Sequence, residues 1–269
     1  LIDHKPFIEL DEIVGHAVRS VYLNCGATDI YMETGEETLL NALMKLWRNM
    51  TEKKMYITGG IGSRYEGESF GDNYELPNEE AYCETCASVA SIMWNWRMLL
   101  ITGDARFSDL IELTLYNAAL SGISLDGKHY FYVNPLESHG NHERQKWYSC
   151  ACCPPNIARL LASLPGYFYS TSDEGIWVHL YAKSEAKIEL ESSTVNIVQE
   201  TNYPWDGEVL LKVEPEEEST FSIFLRIPSW SKLATIRVNN EEKQVYETGK
   251  YIEIRKKWKR NDEIRINFH

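Results

Sequence analysis

Basic residues are in short supply: the 269-residue chain sets 27 lysines and arginines against 40 acidic residues, a formal charge of −13. A phosphate backbone needs clustered cations, so this balance argues against a nucleic-acid partner and fits a neutral or cationic ligand. The sequence also has no apolar run of about 18 residues, which leaves no predicted membrane span. Residues 1–15 carry Asp3, His4, Lys5, Glu9, Asp11 and Glu12 and do not read as a signal peptide. Six cysteines are too few for a disulfide scaffold in a chain this long. Several chemistries lack their motifs: there is no P-loop and no H-E-x-x-H, and Gly59-Gly60-Ile61-Gly62 has the wrong spacing for a dinucleotide.

What is present is a globular composition, 43% hydrophobic, enough for one large domain or two ordinary ones. The first 165 or so residues read as helices. Residues 8–25 place Ile13, Ala17, Val21 and Cys25 on one stripe, and residues 36–50 do the same with Leu39, Leu43, Leu46 and Trp47. Further helices are predicted over 78–100, 104–120 and 155–163, the last with proline in its first turn, where the missing N–H does no harm. A long glycine-rich connector runs from Thr58 to Asn78, and such lengths are uncommon unless functional or disordered. A hairpin is predicted at 128–134. After about Tyr169, segments 175–182, 219–227, 235–240, 250–258 and 262–268 alternate apolar and polar residues between turn signals. The chain therefore reads as α+β, helices first and then an antiparallel β-sandwich, with the boundary near 170–174.

Five of the six cysteines gather in two strings, Cys83-Glu84-Thr85-Cys86 and Cys150-Ala151-Cys152-Cys153. Paired close thiols are a zinc pattern, because soft thiolates select that metal. A redox C-x-x-C lacks the βαβ setting it needs, and inert buried thiols explain one cysteine better than five. The ligand set stays open from the residues alone. Cys83, Cys86, Cys152 and Cys153 would close a structural site; Glu84 in place of one thiolate is equally acceptable chemistry. Residues two apart do not share a helix face, so Glu84 and Cys86 converge only at an irregular helix start.

The connector and its end add Glu66, Glu68, Asp72, Glu75, Glu79 and Glu80. A solvated acidic loop accounts for most of these, but one carboxylate among Gly67, Ser69, Phe70 and Gly71 would suit a pocket wall and proton donation. His16, in G-H-A-V-R, reads as a satisfied partner, and Glu112, in an otherwise apolar helix, lies either on the polar face or, if inward, serves as a hydrogen-bond anchor. The 32 aromatic residues include possible sugar-stacking platforms, although most belong in the core.

The strings YITGGIGS (56–63), GESFGDNYELPN (67–78), YCETCAS (82–88), LYNAALSGISLDG (115–127), YFYVNPL (130–136) and CCPPNIARLLASL (152–164) together resemble glycoside hydrolase family 127, the β-L-arabinofuranosidase-like family. The resemblance covers nearly the whole chain. It implies an (α/α)6 barrel followed by β-sandwich domains, and release of terminal β-L-arabinofuranose from oligosaccharides or glycans with retention, through a zinc-bound cysteine. Carried over by motif, the zinc (Zn2+) ligands are Glu84, Cys86, Cys152 and Cys153. Cys152 matches the nucleophile and Glu68 the general acid/base, while His16, Glu112 and Tyr132 match positions that hold the sugar hydroxyls. Cys83, Cys150 and Cys25 match no required position. A non-catalytic carbohydrate-binding or structural zinc module is the alternative.

A full barrel of this kind needs about twelve helices, and residues 1–165 supply about half that number. The expected domains are thus the C-terminal half of the catalytic barrel over 1–170 and a β-sandwich over 171–269. Leu1 agrees with an internal start, and an open half barrel would need a missing N-terminal segment or another copy to cover its apolar faces. A cytoplasmic location, where reduced thiols survive best, is expected.

Overall fold

A computed structural model describes residues 4–191 and 193–269; Leu1 and Asp3, cited above, lie outside the described residues. The described residues form five α-helices, α1 (Ala17–Thr34), α2 (Glu37–Lys53), α3 (Thr85–Thr102), α4 (Ala105–Thr114) and α5 (Cys153–Ser163), and then ten strands. Two compact units result: residues up to Gly103 with Leu110–Ala162, and Asp104–Asp109 with Ser163–His269.

In the first unit α3 is a core helix, buried around most of its circumference by Ala87, Val89, Ile92, Trp94 and Met98. Its polar anchors reach both neighbours: Trp94 donates to Thr28 of α1 (3.1 Å), and Asn95 accepts from Trp47 of α2 (2.8 Å). Gly35 and Gly103 end α1 and α3 in left-handed conformations, φ 66° and 64°, where a side chain would be strained.

The predicted helix over 8–25 is displaced: α1 starts at Ala17, because Gly15 takes φ 77° and breaks the right-handed run. Ile13 is still buried, its N–H bonded to Asn49 (3.0 Å) and its carbonyl to Lys54 (2.9 Å), so side chains of α2 and of the residue that caps it stand in for helical partners. The helix expected from residue 78 starts at Thr85, held back by Cys83 at φ 39° and by Glu84 in extended backbone. The helix expected over 104–120 becomes α4, a π-turn over Leu115–Ala119 and a 3-10 turn over Leu120–Gly122. Gly122 is required there, since a Cβ would lie 2.6 Å from the Thr85 side chain. The predicted hairpin at 128–134 is reduced to isolated bridges from Tyr130 to Ile123 and Gln145.

The second unit has a four-stranded sheet, in the order β1 (Tyr169–Ser172), β2 (Gly175–Val178), β6 (Ser219–Ile227), β9 (Lys250–Trp258). Its six-stranded sheet runs β3 (Ser184–Glu189), β4 (Thr194–Thr201), β5 (Glu208–Pro215), β10 (Asp262–Phe268), β7 (Ala234–Val238), β8 (Glu241–Val245). All pairings are antiparallel except β2 with β6, which is parallel. The buried faces carry Val195, Ile197, Leu211, Val213, Ile264 and Ile266 from one sheet and Ile176, Val178, Ile223 and Leu225 from the other. No helix among the described residues is long and apolar enough to cross a membrane.

One buried polar group in this unit makes stability depend on pH. His179 bonds Ser170 (2.7 Å) and Tyr251 (2.5 Å), and its carbonyl accepts from the fully buried Arg226 (2.6 Å). Burial, helped by the Arg226 charge, pushes the imidazole down from 6.5 to about 3. The folded state thus keeps it neutral while the unfolded chain protonates it below about 6.5, so its share of stability is lost as pH falls from there toward 3. Thermal unfolding followed between pH 7 and 4 should show a melting temperature that declines more steeply for the wild type than for His179→Gln; parallel declines would contradict this assignment.

Candidate active site

The N-termini of α3 and α5 carry the thiol cluster. Glu84 is the residue just before α3, extended at φ −59°, ψ 136°, and Cys86 lies in the first turn. Two residues that a regular helix would point apart are therefore able to converge. Cys152 precedes α5 and accepts the Asn156 N–H through its carbonyl (3.1 Å), and Cys153 is the first helical residue. Both helices thus direct the positive ends of their dipoles toward the sulfurs, an arrangement that favours anions.

The ligand atoms of Glu84, Cys86, Cys152 and Cys153 all lie within 4.8 Å of one another. Sulfur to sulfur, Cys86–Cys153 is 3.4 Å and Cys152–Cys153 is 3.7 Å; from Glu84 Oε1 to Cys152 and Cys153 the distances are 3.4 and 3.7 Å. Around a tetrahedral zinc, with sulfur at about 2.3 Å and oxygen at about 2.0–2.2 Å, such ligand atoms stand roughly 3.5–3.8 Å apart. None of these cysteines forms a disulfide. The other carboxylate oxygen, Glu84 Oε2, is buried with no hydrogen-bond partner in the protein. The donor set, its spacing and this orphaned oxygen all fit a zinc ion.

The electrostatics lead to the same conclusion. With no cation in the cluster, burial pushes the Glu84 carboxyl up to about 8, and the adjacent Cys152 acts in the same direction. Hydrogen bonds from Cys153 and Cys86, with a further one from Tyr132, hold Cys152 far below the usual thiol range. Cys153 and Cys86 are pushed up in return, chiefly because each keeps its proton to hydrogen-bond Cys152, with the nearby Glu84 charge acting the same way. Four acidic groups packed this closely lose their protons together only when a cation is present.

Cys83 is not part of this cluster. Its positive φ of 39° sends the side chain elsewhere, and it packs with Tyr56 and Ala81, its sulfur close against Gly60. Burial raises its thiol to about 12. Cys25 is similarly buried in α1 and Cys150 is exposed.

A second cluster shares Glu84 with the first. Ligand atoms of His16, Glu68 and Glu84 also lie within 4.8 Å of one another. Glu68 ends a 3-10 turn over Glu66–Glu68 in which Gly67 (φ 67°) and Glu68 (φ 50°) both take left-handed backbone. A glutamate in that region is uncommon and strained. The turn is held by paired Arg64–Ser69 backbone bonds (3.1 Å each) and by Phe70 N–H to Gly15 carbonyl (2.9 Å). Glu68 then meets His16 Nε2 at 2.6 Å and accepts from the Tyr82 hydroxyl at 2.8 Å. The Nδ1 atom of His16 is buried without a partner.

Three other acidic side chains of the connector are occupied elsewhere. Arg64 takes up Glu75 and Asp72, and Glu79 meets His139 at 3.0 Å. The Tyr132 hydroxyl oxygen lies 3.1 Å from the Cys152 sulfur, while the Tyr132 N–H is held by the Tyr148 hydroxyl (3.1 Å). Glu112 is buried in α4 and belongs to neither cluster. Three neighbours of the site escaped the sequence reading: Tyr82 on Glu68, Tyr148 behind Tyr132, and Asn156, whose Oδ1 accepts from Tyr22 and Arg159 one turn into α5. Tyr82 adjoins the C-E-T-C string and Asn156 ends C-C-P-P-N, so proximity to a motif was the available signal.

Comparison with known proteins gives two family matches: the β-L-arabinofuranosidase GH127 catalytic domain over residues 1–166 and the GH127 middle domain over 175–269. A non-reducing end β-L-arabinofuranosidase of Bifidobacterium longum subsp. longum is 40% identical, over 88% of this chain and 38% of that protein. A solved GH127 β-arabinofuranosidase superposes with TM-score 0.95 at 41% identity, covering all of this chain and 45% of the other. The crystal structure of a GH127 β-L-arabinofuranosidase from Geobacillus stearothermophilus T6 gives 0.94 at 43% identity, covering 99% and 44%. The chain therefore spans less than half the length of these relatives, and its helices form part of a helical barrel that is followed by the β-sandwich.

The geometry ranks the two candidate ligand sets. Cys83→Ala should bind zinc as the wild type does, whereas Glu84→Ala and Cys86→Ala should each lose more than the roughly 10- to 100-fold that an outer-shell partner is worth. Zinc titration against a chromophoric chelator measures this; a chain that needs Cys83 and tolerates Glu84→Ala would reverse the ranking.

Proposed function

This chain belongs to the β-L-arabinofuranosidase family GH127, and from that premise we propose that it is the part of a retaining glycoside hydrolase that carries the reacting groups. The substrate is an oligosaccharide or glycan ending in β-L-arabinofuranose. The single observation behind the reading is that Glu84 belongs to both clusters, which brings a thiol and an acid to one space. Zinc bound by Glu84, Cys86, Cys152 and Cys153 would keep the sulfurs deprotonated at neutral pH.

In the first half-reaction the Cys152 thiolate attacks the anomeric carbon. A C–S bond forms as the glycosidic C–O bond breaks, and the departing oxygen takes the proton of Glu68. Tyr82 and His16 hold that carboxyl on both of its oxygens, which fixes its orientation. In the second half-reaction Glu68, now a carboxylate, accepts a proton from water. That water's oxygen attacks the same carbon, the C–S bond breaks and the Cys152 thiolate returns. Two inversions give net retention, and the thiolate takes the place usually filled by a second carboxylate.

Cys152 is the sulfur suited to this role because it is partly exposed, while Cys86 and Cys153 are buried. His16, Glu112 and Tyr132 are proposed to hold sugar hydroxyls. The unpartnered Nδ1 of His16 and the Tyr132 hydroxyl beside the nucleophile support two of these three. The domains proposed are the barrel portion to residue 170 and the sandwich beyond it. A covering segment or second copy over the helices and a cytoplasmic location complete the reading.

An aryl β-L-arabinofuranoside assayed with and without the segment that precedes this chain in longer relatives tests the proposal. Glu68→Gln should lower turnover by about 10²- to 10⁴-fold with bound zinc unchanged, and a mechanism-based inhibitor should label Cys152. A label confined to Glu68 would overturn the assignment of roles. Sugar binding that Glu68→Gln leaves intact, with no turnover by the wild type in either preparation, would point to a binding module instead.

A further inference from the structure

The outer face of the six-stranded sheet carries more chemistry than a solvated surface needs. Along β10 the side chains of Ile264, Ile266 and Phe268 point into the sandwich, so those of Arg265 and Asn267 point out. Strand pairing then sets Glu200, Leu210, Arg265, Arg237 and Glu242 in one row across β4, β5, β10, β7 and β8. A second row holds Glu208, Asn267 and Thr235. Both rows line a groove of about 710 Å³. Arg237 and Arg265 stand directly opposite each other, which by itself is unfavourable. Each is held from the side instead, Arg237 by Glu242 (3.2 Å) and Arg265 by Glu263 (2.9 Å), and each remains about half exposed. Their remaining N–H donors are thus fixed in place and open to a ligand.

Beside these rows the chain presents a ring to solvent. The Trp205 N–H bonds the Asn202 carbonyl (2.9 Å) and closes a turn flanked by two lining residues, Asn202 and Asp206. Trp205 is 91% exposed, so its indole contributes almost nothing to the core. Trp230, also half exposed, packs edge-on against Phe268 (5.9 Å), the neighbour of the lining residue His269. Three cations and four carboxylates line the groove, a balance that suits neither a polyanion nor a polycation. A sugar matches what is left. Its C–H face stacks on an indole, and its hydroxyls donate to carboxylates and accept from arginine and amide N–H groups.

We propose that this face of the sandwich is a second glycan-binding site, which takes an uncharged oligosaccharide: Trp205 carries one sugar ring, while Arg237, Arg265 and Asn267 hold hydroxyls of the chain. None of these residues belongs to either cluster of the first unit. The class of sugar rests on the hydrolase reading above. A second foothold on one glycan raises the effective concentration of its other parts around the protein.

Isothermal titration of the Glu68→Gln chain with an oligosaccharide of several arabinofuranose units tests the proposal, because that variant binds without turnover. Adding Trp205→Ala or Arg265→Gln should weaken one binding event about 10- to 100-fold. Both side chains point outward, so the melting temperature should stay that of the parent. Added salt should leave the affinity unmoved, because the ligand carries no charge. Parent affinity kept by both variants, or no binding by the parent, would overturn the proposal, while turnover of an aryl β-L-arabinofuranoside by the wild type would keep the hydrolase reading intact. Binding that needs Trp205, in a wild type without turnover in either preparation, would sink the hydrolase reading alone. A groove that instead binds an oligogalacturonate, more weakly as salt rises, would overturn the assignment to neutral glycans.

Discussion

Four acidic groups crowded into a buried space set the terms for the rest of this molecule. Glu84, Cys86, Cys152 and Cys153 stand as close as ligands around a single tetrahedral ion, and they resist joint ionisation without one. Two helix N-termini converge on the same point, so backbone dipoles favour negative charge there. Function follows from the resulting asymmetry: two sulfurs are sealed in the core, and one is left partly open beside a carboxyl group.

Local backbone strain aims these groups. Cys83 and Glu68 both take positive φ, and each lies next to or at a residue of the site. At Cys83 the twist turns its own thiol toward Gly60 and frees Glu84 to approach the sulfurs. At Glu68 it places the carboxyl at the tip of a clasped turn, between Tyr82 and His16. Such conformations persist only where the surroundings enforce them. Here the enforcement comes from the Arg64–Ser69 bonds, the Gly15 carbonyl and the Asn134 amide on the Cys83 carbonyl (2.8 Å).

Much of this was legible in the residues. The C-C-P-P-N and C-E-T-C strings announced a cluster of side chains able to hold a metal, and the apolar stripes announced α2 and, in shifted register, α1. The choice between Cys83 and Glu84 was not legible, because it turns on one left-handed φ that no spacing rule encodes. Segment 8–16 misled for a similar reason: Ile13 is buried on cue, but by side chains of α2 and of its capping residue, without helical bonds. Strands β3, β4 and β5 were passed over because charged and polar side chains on their outer faces mask a two-residue alternation, and β1 and β8 because they bury too little to show one. In β4 the inward positions are Val195, Ile197 and Gln199, the last a polar group inside the sandwich. Tyr82 became visible only once distant segments met, since it acts across 14 residues of sequence, on Glu68.

The arrangement at the sulfurs is most directly examined by X-ray absorption at the zinc edge of the metal-loaded chain. Three sulfurs at about 2.3 Å and one oxygen at about 2.0–2.2 Å are predicted. A shell of four sulfurs, or a reduced chain that takes up no zinc and joins Cys152 to another cysteine instead, would contradict the account.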